Sequence, residues 1–365
     1  MEAGKRRRIL ELAGTAPSVD NAQPFYFRWE GERLAVFRDE GRDRRRGNAE
    51  NYVSMVGLGC LMECTAIGAS GEGLRAEMDF RYDGRGLNAP WVVISFRPDP
   101  AKPDELLPGL KLRCSDRRQY QGGDPSDPVF GQAVADGEPF RGCALHFREP
   151  GDDKLIDYLL RCERFLWMDK DILPEMLSWV RWSRKEVRRT RDGMPWQSLG
   201  VNFMTSRLMR LIAKSERFRR LAQRSGGPLR AQQKALEAQI LSSAALGCIT
   251  VQDTEAETMM RLGRVLLRTW VRLNLSGYGV QMMANPSMHV FQHVAGILPE
   301  DYPAESKQVF AEGERVLVEA FRLQESEIPA WTFRTGKSTP LPPEMRTLRL
   351  PLARILRPES DPASR

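Results

Sequence analysis

The sequence has little histidine, few cysteines and no long uncharged run. Only three histidines occur in 365 residues, and the six cysteines have neither zinc-finger nor zinc-ribbon spacing. Cys60 and Cys64 lie four apart in an apolar helical pattern, which favours core thiols. His289 and His293 are also four apart, but they have no carboxylate or third ligand beside them, so we expect packing or surface roles and no metal site.

No segment predicts a membrane span or a secretion signal. A transmembrane helix needs about 18 or more uncharged apolar residues, and we find no such run. The segment MEAGKRRRILELAG begins with the basic residues of a signal peptide, but Glu11 and Gly14 interrupt its apolar part. We therefore expect a cytoplasmic protein without a membrane partner.

Basic residues are in excess. The chain has 55 Lys and Arg against 48 Asp and Glu, a net charge of +7. Basic clusters at 5–8, 43–46, 188–191 and 217–220 could contact phosphates. However, the acidic residues are interleaved with the basic ones, and no helix-turn-helix, finger or RNA-binding motif accompanies the clusters. Solvated Arg-rich helix faces are the favoured interpretation, and nucleic-acid binding would rest on charge alone.

A faint internal repeat relates two helices. MVGLGCLMECTAIGASGEG (55–73) aligns without gaps to RLGRVLLRTWVRLNLSGYG (261–279), and Gly57 falls on Gly263. Both copies have apolar residues at helical spacing. A mid-helix glycine costs about 1 kcal/mol relative to alanine, so Gly57 and Gly263 predict a close approach between the two helices. Thr254 and Glu257 predict a capping box before the second copy.

The remaining patterns predict an α+β protein with many helices and few strands. A Pro-rich, charged segment at 97–109 is the expected boundary between two lobes, 1–107 and 108–365. Helices are predicted at 4–13, 152–168, 172–190, 203–223, 229–241 and 306–321, and strands at 25–29, 34–38, 91–96 and 246–251.

Just past the linker, RCSDRRQY forms a candidate anion clamp. If this segment is extended, Arg113, Ser115 and Arg117 point to one side, and Cys114 and Asp116 point to the other. Two guanidinium groups beside a hydroxyl group suit a phosphate monoester. An Arg-rich surface strand would show the same pattern.

The loop APSVDNAQPF (16–25) presents Ser18, Asn21 and Gln23 after the first helix. By itself it fits an Asx or Ser turn that ends a helix. Together with R-x-S-x-R at 113–117, however, it resembles the PS-x-x-N-x-QPW loop and phosphate motif of nitroreductase-like flavoproteins. The two motifs lie in different lobes, which resembles the single-chain, two-lobed members of the Acg type. The resemblance implies a duplicated α-β-α nitroreductase-like fold that forms a pseudo-dimer, with one FMN between the lobes. A fused pseudo-dimer has no intrinsic need to associate further, so we expect a monomer or a weak homo-oligomer.

The resemblance also assigns residues. It implies that Arg113, Ser115 and Arg117 hold the FMN phosphate, and that Pro17, Ser18 and Asn21 reach the isoalloxazine and ribityl groups. Gln23 and Pro24 would turn the chain back into the lobe. In RTLRLPLARIL, Arg349 matches a further cation and Arg346 is a possible helper. Ala284 and Asn285 stand where many relatives have a Glu-Gly pair at the flavin edge, a departure that affects the substrate pocket.

Flavin chemistry explains why no nucleophilic triad is needed, because hydride arrives at and leaves from the cofactor. The implied activity is an NAD(P)H-dependent FMN oxidoreductase that acts on a small electron-poor or conjugated molecule. The alternative is a flavin-sequestering protein with little turnover, which would be favoured if residues 165–200 form a lid. The tryptophans of that stretch could form an aromatic wall or an ordinary hydrophobic core: Trp167, Trp179, Trp182 and Trp196.

Overall fold

Two separate β-sheets and the helices packed on them organise the chain. The computed structural model describes residues 1–43, 46–82 and 89–358. In chain order the helices are α1 (Ala3–Ala13), α2 (Glu40–Asp43), α3 (Tyr52–Ser70), α4 (Pro128–Gly137), α5 (Asp153–Met168), α6 (Ile172–Ser178), α7 (Arg184–Thr190), α8 (Phe203–Lys214), α9 (Glu216–Ser225), α10 (Gly227–Leu241), α11 (Ala256–Leu275), α12 (Ala284–Val294), α13 (Ala304–Phe321) and α14 (Leu352–Ile355). The strands are β1 (Phe25–Glu30), β2 (Arg33–Arg38), β3 (Leu74–Phe80), β4 (Val92–Pro98), β5 (Cys143–Arg148), β6 (Val180–Arg181), β7 (Met194–Pro195), β8 (Ala245–Val251), β9 (Tyr278–Met282), β10 (Ile328–Lys337) and β11 (Leu356–Arg357).

The first sheet has the strand order β11-β1-β2-β4-β3. β1 and β2 form the predicted antiparallel hairpin, and Gly31 takes a positive φ of 62° in its turn, where glycine is favoured. β11 pairs in parallel with β1 through Phe27 and Leu356. The last described strand therefore completes the sheet that the first residues begin, which ties the two ends of the chain together.

The second sheet is antiparallel with the order β5-β8-β10-β9. Every residue of β8 is buried, because helices cover the sheet and β8 lies in its interior. The prediction located β8, but it missed β3, β5, β9 and β10. β9 in particular follows directly on the second repeat helix, where no strand was predicted.

Helices α3 and α11, the two repeat copies, pack directly on each other at a glycine contact. A Cβ added to Gly59 would lie 1.9 Å from the Met260 carbonyl oxygen, and one added to Gly263 would lie 2.0 Å from the Val56 carbonyl oxygen. The predicted close approach is therefore real, but the prediction for Gly57 was wrong. Gly57 faces Phe25 and Pro17 instead, because it lies about half a helical turn away from Gly59.

A buried ion-pair cluster accompanies the glycine contact. Glu63 on α3 accepts hydrogen bonds from Arg264 Nε at 2.7 Å and Arg268 Nη1 at 2.8 Å on α11. Arg268 Nη1 also lies 2.7 Å from Asp104 Oδ2, which is within the predicted linker at 97–109. Because Glu63 is buried, these partners fix how the two helices face each other.

Three local predictions were wrong for identifiable reasons. The predicted helix 172–190 is broken into α6 and α7, since residues 180–181 pair with β7 as strand β6. The predicted helix 203–223 is divided at Ser215, which has extended backbone and caps α9 through its side chain. The expected capping box at Thr254 is absent: the N-cap of α11 is Glu255, whose N–H donates to Asp253 Oδ1 at 2.9 Å.

Among the described residues, one helical stretch, Ala49–Ser70, is long and apolar enough to cross a membrane by length and composition. In the structure, 89% of its apolar window is buried inside the protein. This stretch, which includes α3, therefore forms a core helix of the protein.

Candidate cofactor-binding site

The segment that carries the candidate clamp is fastened to the second sheet by Asp116. The Asp116 N–H donates to Val280 on β9 at 2.9 Å, and its buried carboxylate accepts hydrogen bonds from Arg118 Nε at 2.9 Å and Ser338 Oγ at 2.5 Å. Tyr120 Oη donates to the Asp116 carbonyl at 2.7 Å. With Asp116 held inward, the residues on either side of it, Ser115 and Arg117, face a cavity.

That cavity has a polar part and an apolar part. The polar part, about 70 Å³, is lined by Arg113, Ser115 and Arg117 together with Pro17, Ser18, Asn21 and Arg349. The structure thus brings seven of the nine predicted site residues to one place. Cys114 lines it as well, so the expected strict alternation along 113–117 does not hold there.

The apolar part adjoins the polar part and measures about 190 Å³. The two share lining residues, including Pro17, Ser18, Ser115 and Arg117. The apolar walls come from α3, α11, β9 and β10 and are formed by Val53, Val56, Gly57, Leu266, Trp270, Met282 and Trp331. A ligand that joins a flat apolar group to an anionic tail would match this arrangement.

Four guanidinium groups line the polar part of the cavity, and one of them, Arg346, donates to the Lys111 and Leu112 carbonyls. Two of the other three converge on one oxygen atom. Arg113 Nη2 donates to the Thr15 carbonyl at 2.8 Å, and Arg349 Nε and Nη2 approach the same oxygen at 3.3 and 3.2 Å. The Arg113 guanidinium also lies over the Trp270 ring, 4.4 Å from its centroid. Its Nε is buried and has no hydrogen-bond partner.

The third guanidinium group, Arg117, is held by neutral acceptors. Its Nη1 donates to the Ser198 carbonyl at 3.2 Å, and its Nη2 lies 3.4 Å from Met194 Sδ. Across the described parts of the chain, no carboxylate lies within ion-pair distance of Arg113, Arg117 or Arg349. Asp20 lines the same cavity, and its charge raises the pKa of Arg117 less than burial lowers it.

Burial depresses the pKa of all three groups. It lowers the pKa of Arg113 and of Arg117 from their ordinary values, and burial together with the positive charge of Arg113 lowers the pKa of Arg349 to about 9. Buried cations are normally paired, since an isolated buried charge is costly. This cluster therefore has the electrostatics of an anion site.

The 16–25 loop is more than a turn that ends α1. Ser18 Oγ accepts the Gln23 N–H at 2.8 Å, and Asp20, Asn21 and Gln23 all have positive φ. Few non-glycine residues adopt such angles unless surrounding contacts hold them. Here the contacts come from two distant segments.

Asn21 and Gln23 make those contacts. Asn21 Nδ2 donates to the Gly193 and Leu348 carbonyls at 3.0 and 2.9 Å, and its Oδ1 accepts from Arg349. Gln23 Nε2 donates to the Arg191 carbonyl at 3.0 Å, and its Oε1 accepts the Leu350 N–H at 2.7 Å. The Asn21 amide is therefore engaged by protein groups, so its role at the site is to hold the cavity wall.

The side chains of Ala284 and Asn285, the predicted flavin-edge residues, point to different parts of the protein. Ala284 lines the apolar part of the cavity at the start of α12. Asn285 does not line it, and its Nδ2 approaches the Cys162 carbonyl at 3.3 Å. The helix that begins at Ala284 turns the next side chain toward α5, which is why two adjacent residues diverge.

The tryptophans that reach the cavity are not those of the 165–200 stretch. Trp270 and Trp331 line it, whereas Trp167, Trp182 and Trp196 pack in a separate hydrophobic cluster with α6 and α8. From the 165–200 stretch, Met194 and Ser198 line the polar part of the cavity. No motif predicted these positions, since Trp270 belongs to the apolar pattern of α11 and the two smaller residues follow no motif.

The remaining candidate groups have structural roles. His289 is fully buried, its Nδ1 lies 2.8 Å from the Asn285 carbonyl oxygen, and burial lowers its pKa to about 4. His293 is exposed, so the expected packing and surface roles are confirmed for this pair. Cys60 lines the apolar part of the cavity and donates to the Gly263 carbonyl at 3.1 Å, and burial raises the pKa of its thiol.

Comparison with known proteins adds distant structural neighbours. No family model and no curated protein matches the chain. A nitroreductase-like family protein from Bacillus cereus has 10% identity and a TM-score of 0.35, and the match covers 70% of this chain and 95% of that one. A nitroreductase with bound FMN from Desulfitobacterium hafniense DCB-2 has 10% identity and a TM-score of 0.36, covering 68% and 94%. The FMN-dependent nitroreductase NfnB from Mycobacterium smegmatis, in complex with NADPH, has 8% identity and a TM-score of 0.37, covering 68% and 95%. Similarity at these scores does not establish a shared fold or activity.

Proposed function

We propose that this chain is an FMN-binding oxidoreductase of the nitroreductase-like type, with two lobes, 1–107 and 108–365, and one FMN between them. The observation that carries the proposal is the cluster of Arg113, Arg117 and Arg349. These guanidinium groups lie at one end of an apolar cavity, without carboxylate partners among the described residues.

The cavity fits an aromatic mononucleotide in three respects. The unpartnered Nε of Arg113 is a buried donor that requires an acceptor. A phosphate group would accept hydrogen bonds from Arg113, Ser115 and Arg117 and compensate their charge. The apolar walls beside Trp270 offer a surface for a flat ring system.

Bound FMN would supply a ring that accepts and donates hydride, so the protein needs no side-chain nucleophile. The residues of this chain would bind the FMN, orient it and shield it from water. Arg349 adds positive charge at the same end of the cavity, the Pro17–Ser18 segment forms one wall, and the amides of Asn21 and Gln23 keep that wall in place. We propose NAD(P)H as the electron donor and a small electron-poor or conjugated molecule as the acceptor.

Flavin sequestration with little turnover is the second candidate. The apolar and polar parts of the cavity, about 190 and 70 Å³, together lie just below the roughly 300–1,000 Å³ of typical small-molecule sites. The 191–198 segment also contacts the 16–25 loop through the Gly193 N–H, which donates to the Asn21 carbonyl at 3.2 Å, and through the Asn21 and Gln23 side chains. Both features favour a buried ligand that a second substrate reaches poorly.

A visible absorption spectrum tests flavin binding. The purified protein should be yellow, and FMN should restore the colour if it has been lost. A colourless protein that cannot be reconstituted with FMN would reject both candidates. Anaerobic mixing with NADPH and with NADH then separates them, because an oxidoreductase should bleach rapidly with at least one of the two and a sequestering protein with neither.

Substitution of the clamp tests its assignment. Arg113→Ala and Arg117→Ala should each weaken FMN binding about tenfold or more, since a hydrogen bond to a charged group contributes about 1.5–3 kcal/mol. Fluorescence titration of FMN measures this change. Lys111→Ala, which removes a nearby exposed cation, is the control and should bind FMN normally. Unchanged affinity in both arginine variants would reject the clamp.

A further inference from the structure

The net charge of the chain is concentrated in one helical pair. Residues 203–224, which form most of α8 and α9, contain seven basic residues and a single acidic one, Glu216, a net charge of +6 in a chain whose total is +7. The basic residues are Arg207, Arg210, Lys214, Arg217, Arg219, Arg220 and Arg224. The rest of the protein is therefore nearly neutral, and this pair is a distinct electrostatic feature.

The pair packs against the protein through one face only. Ile212 and Ala222 are buried in a hydrophobic cluster with Leu173, Leu177 and Val180. The opposite face is exposed and carries Arg207, Arg210, Lys214, Arg217, Arg220 and Arg224. We call this exposed face of α8 and α9 the basic face.

Large apolar side chains are interspersed on the basic face. Phe203, Met204, Leu211 and Leu221 are exposed by 55%, 74%, 52% and 61%. They account for four of the ten large apolar side chains that are exposed in the described parts of the chain. On α8 they lie at helical spacing from the arginines, and Arg207 stacks over Phe203 at 4.8 Å. Exposed apolar side chains that are grouped on one face, rather than scattered singly, mark an interaction surface.

We propose that the basic face docks on the surface of a bilayer that contains anionic phospholipids. The cations complement negative headgroups, and the interspersed apolar side chains can enter the boundary between headgroups and acyl chains. Phosphate contacts alone would explain the arginines but would leave Phe203 and Met204 exposed on a nucleic acid. The expectation of no membrane partner rested on the lack of a spanning run and of a signal peptide. The contact proposed here is peripheral, departs from that expectation and does not depend on the flavin site.

Vesicle sedimentation tests the proposal with the full chain. The protein should pellet with vesicles of equimolar phosphatidylserine and phosphatidylcholine, and far less with pure phosphatidylcholine. Arg207→Gln combined with Arg210→Gln should weaken the partition about 30-fold, taking the usual contribution of a cation near an anionic surface. Arg33→Gln combined with Lys102→Gln removes the same charge from exposed positions elsewhere and should change binding far less.

A second pair of substitutions tests the apolar contribution. Met204→Ser combined with Leu221→Ser retains every charge and should still weaken binding to the anionic vesicles severalfold, since buried apolar area adds to membrane affinity. These exposed side chains are not needed for folding, which circular dichroism checks. The proposal is overturned if anionic vesicles fail to sediment the wild type, if the two charge variants behave alike, or if Met204 and Leu221 prove irrelevant. Tight binding to duplex DNA without vesicle binding would also reject it.

Discussion

Replacing Arg113 by methionine should weaken FMN binding without destabilising the apo-protein. Methionine retains apolar contact with Trp270 but removes a buried cation whose Nε has no partner. The Thr15 carbonyl keeps a donor because Arg349 approaches it at 3.2 Å. The substitution therefore creates no buried unpaired acceptor at this oxygen.

The magnitude follows from three opposing contributions. Loss of the hydrogen bond to Thr15 costs about 1.5–3 kcal/mol, and loss of the stacking on Trp270 costs up to about 2 kcal/mol. Removal of an unpaired buried charge stabilises the apo-protein by several kcal/mol. We expect the free energy of unfolding of the apo-protein to stay unchanged or to rise by up to about 2 kcal/mol, while FMN affinity falls at least about tenfold.

Urea denaturation of the apo-protein and FMN fluorescence titration measure the two effects. Arg118→Met is the matched control, since Arg118 forms an ion pair with buried Asp116 at 2.8 Å. Loss of that pair should destabilise the apo-protein by roughly 2–4 kcal/mol. If Arg113→Met destabilised the apo-protein as strongly as Arg118→Met, Arg113 would be a structural residue and the anion-site reasoning would be refuted.

Three further predictions concern the frame around the cavity. Gly59→Ala should destabilise the protein by about 3 kcal/mol or more because its Cβ meets a backbone oxygen, whereas Gly57→Ala should be neutral or stabilising by up to about 1 kcal/mol, as thermal unfolding will test. Burial alone would raise the pKa of Asp116, but the hydrogen bonds from Arg118 and Ser338 and the charge of Arg118 together outweigh it and lower that pKa, so the carboxylate stabilises the fold above about pH 4 and loses this effect as the pH falls. Asp116→Asn should therefore lower the free energy of unfolding at neutral pH and reduce its decline at acid pH, as urea denaturation over a series of pH values will test. An unchanged decline at acid pH would contradict this. Asn21→Ala removes three hydrogen bonds from a residue at positive φ, so it should lower the free energy of unfolding by about 2–4 kcal/mol. It should also speed FMN release, measured by stopped flow, and an unchanged release rate would contradict the positioning role of Asn21.

The fold was predictable where the evidence in the sequence is local. The helical spacing of α1, α5 and α13 and the alternation of β1 and β2 follow from residues within a few positions of each other, and these elements are confirmed. β9 and β10 could not be predicted in the same way. Their pairing joins residues about fifty positions apart, for instance Phe333 with Met282, and no local pattern encodes that partnership.

The sequence by itself determined the chemical types at the site: the cations and hydroxyl of the 113–117 segment and the polar loop at 16–25. Tertiary structure decided how they act. In the folded chain, Arg113 and Arg349 approach the same Thr15 carbonyl. The Asn21 amide donates to the Gly193 and Leu348 carbonyls. The close contact to α11 is made by Gly59 and not by Gly57. The physical reason is that burial and pairing, which set the charge state and the free donors of a side chain, depend on neighbours that lie up to several hundred residues away along the chain, so only the folded chain supplies them.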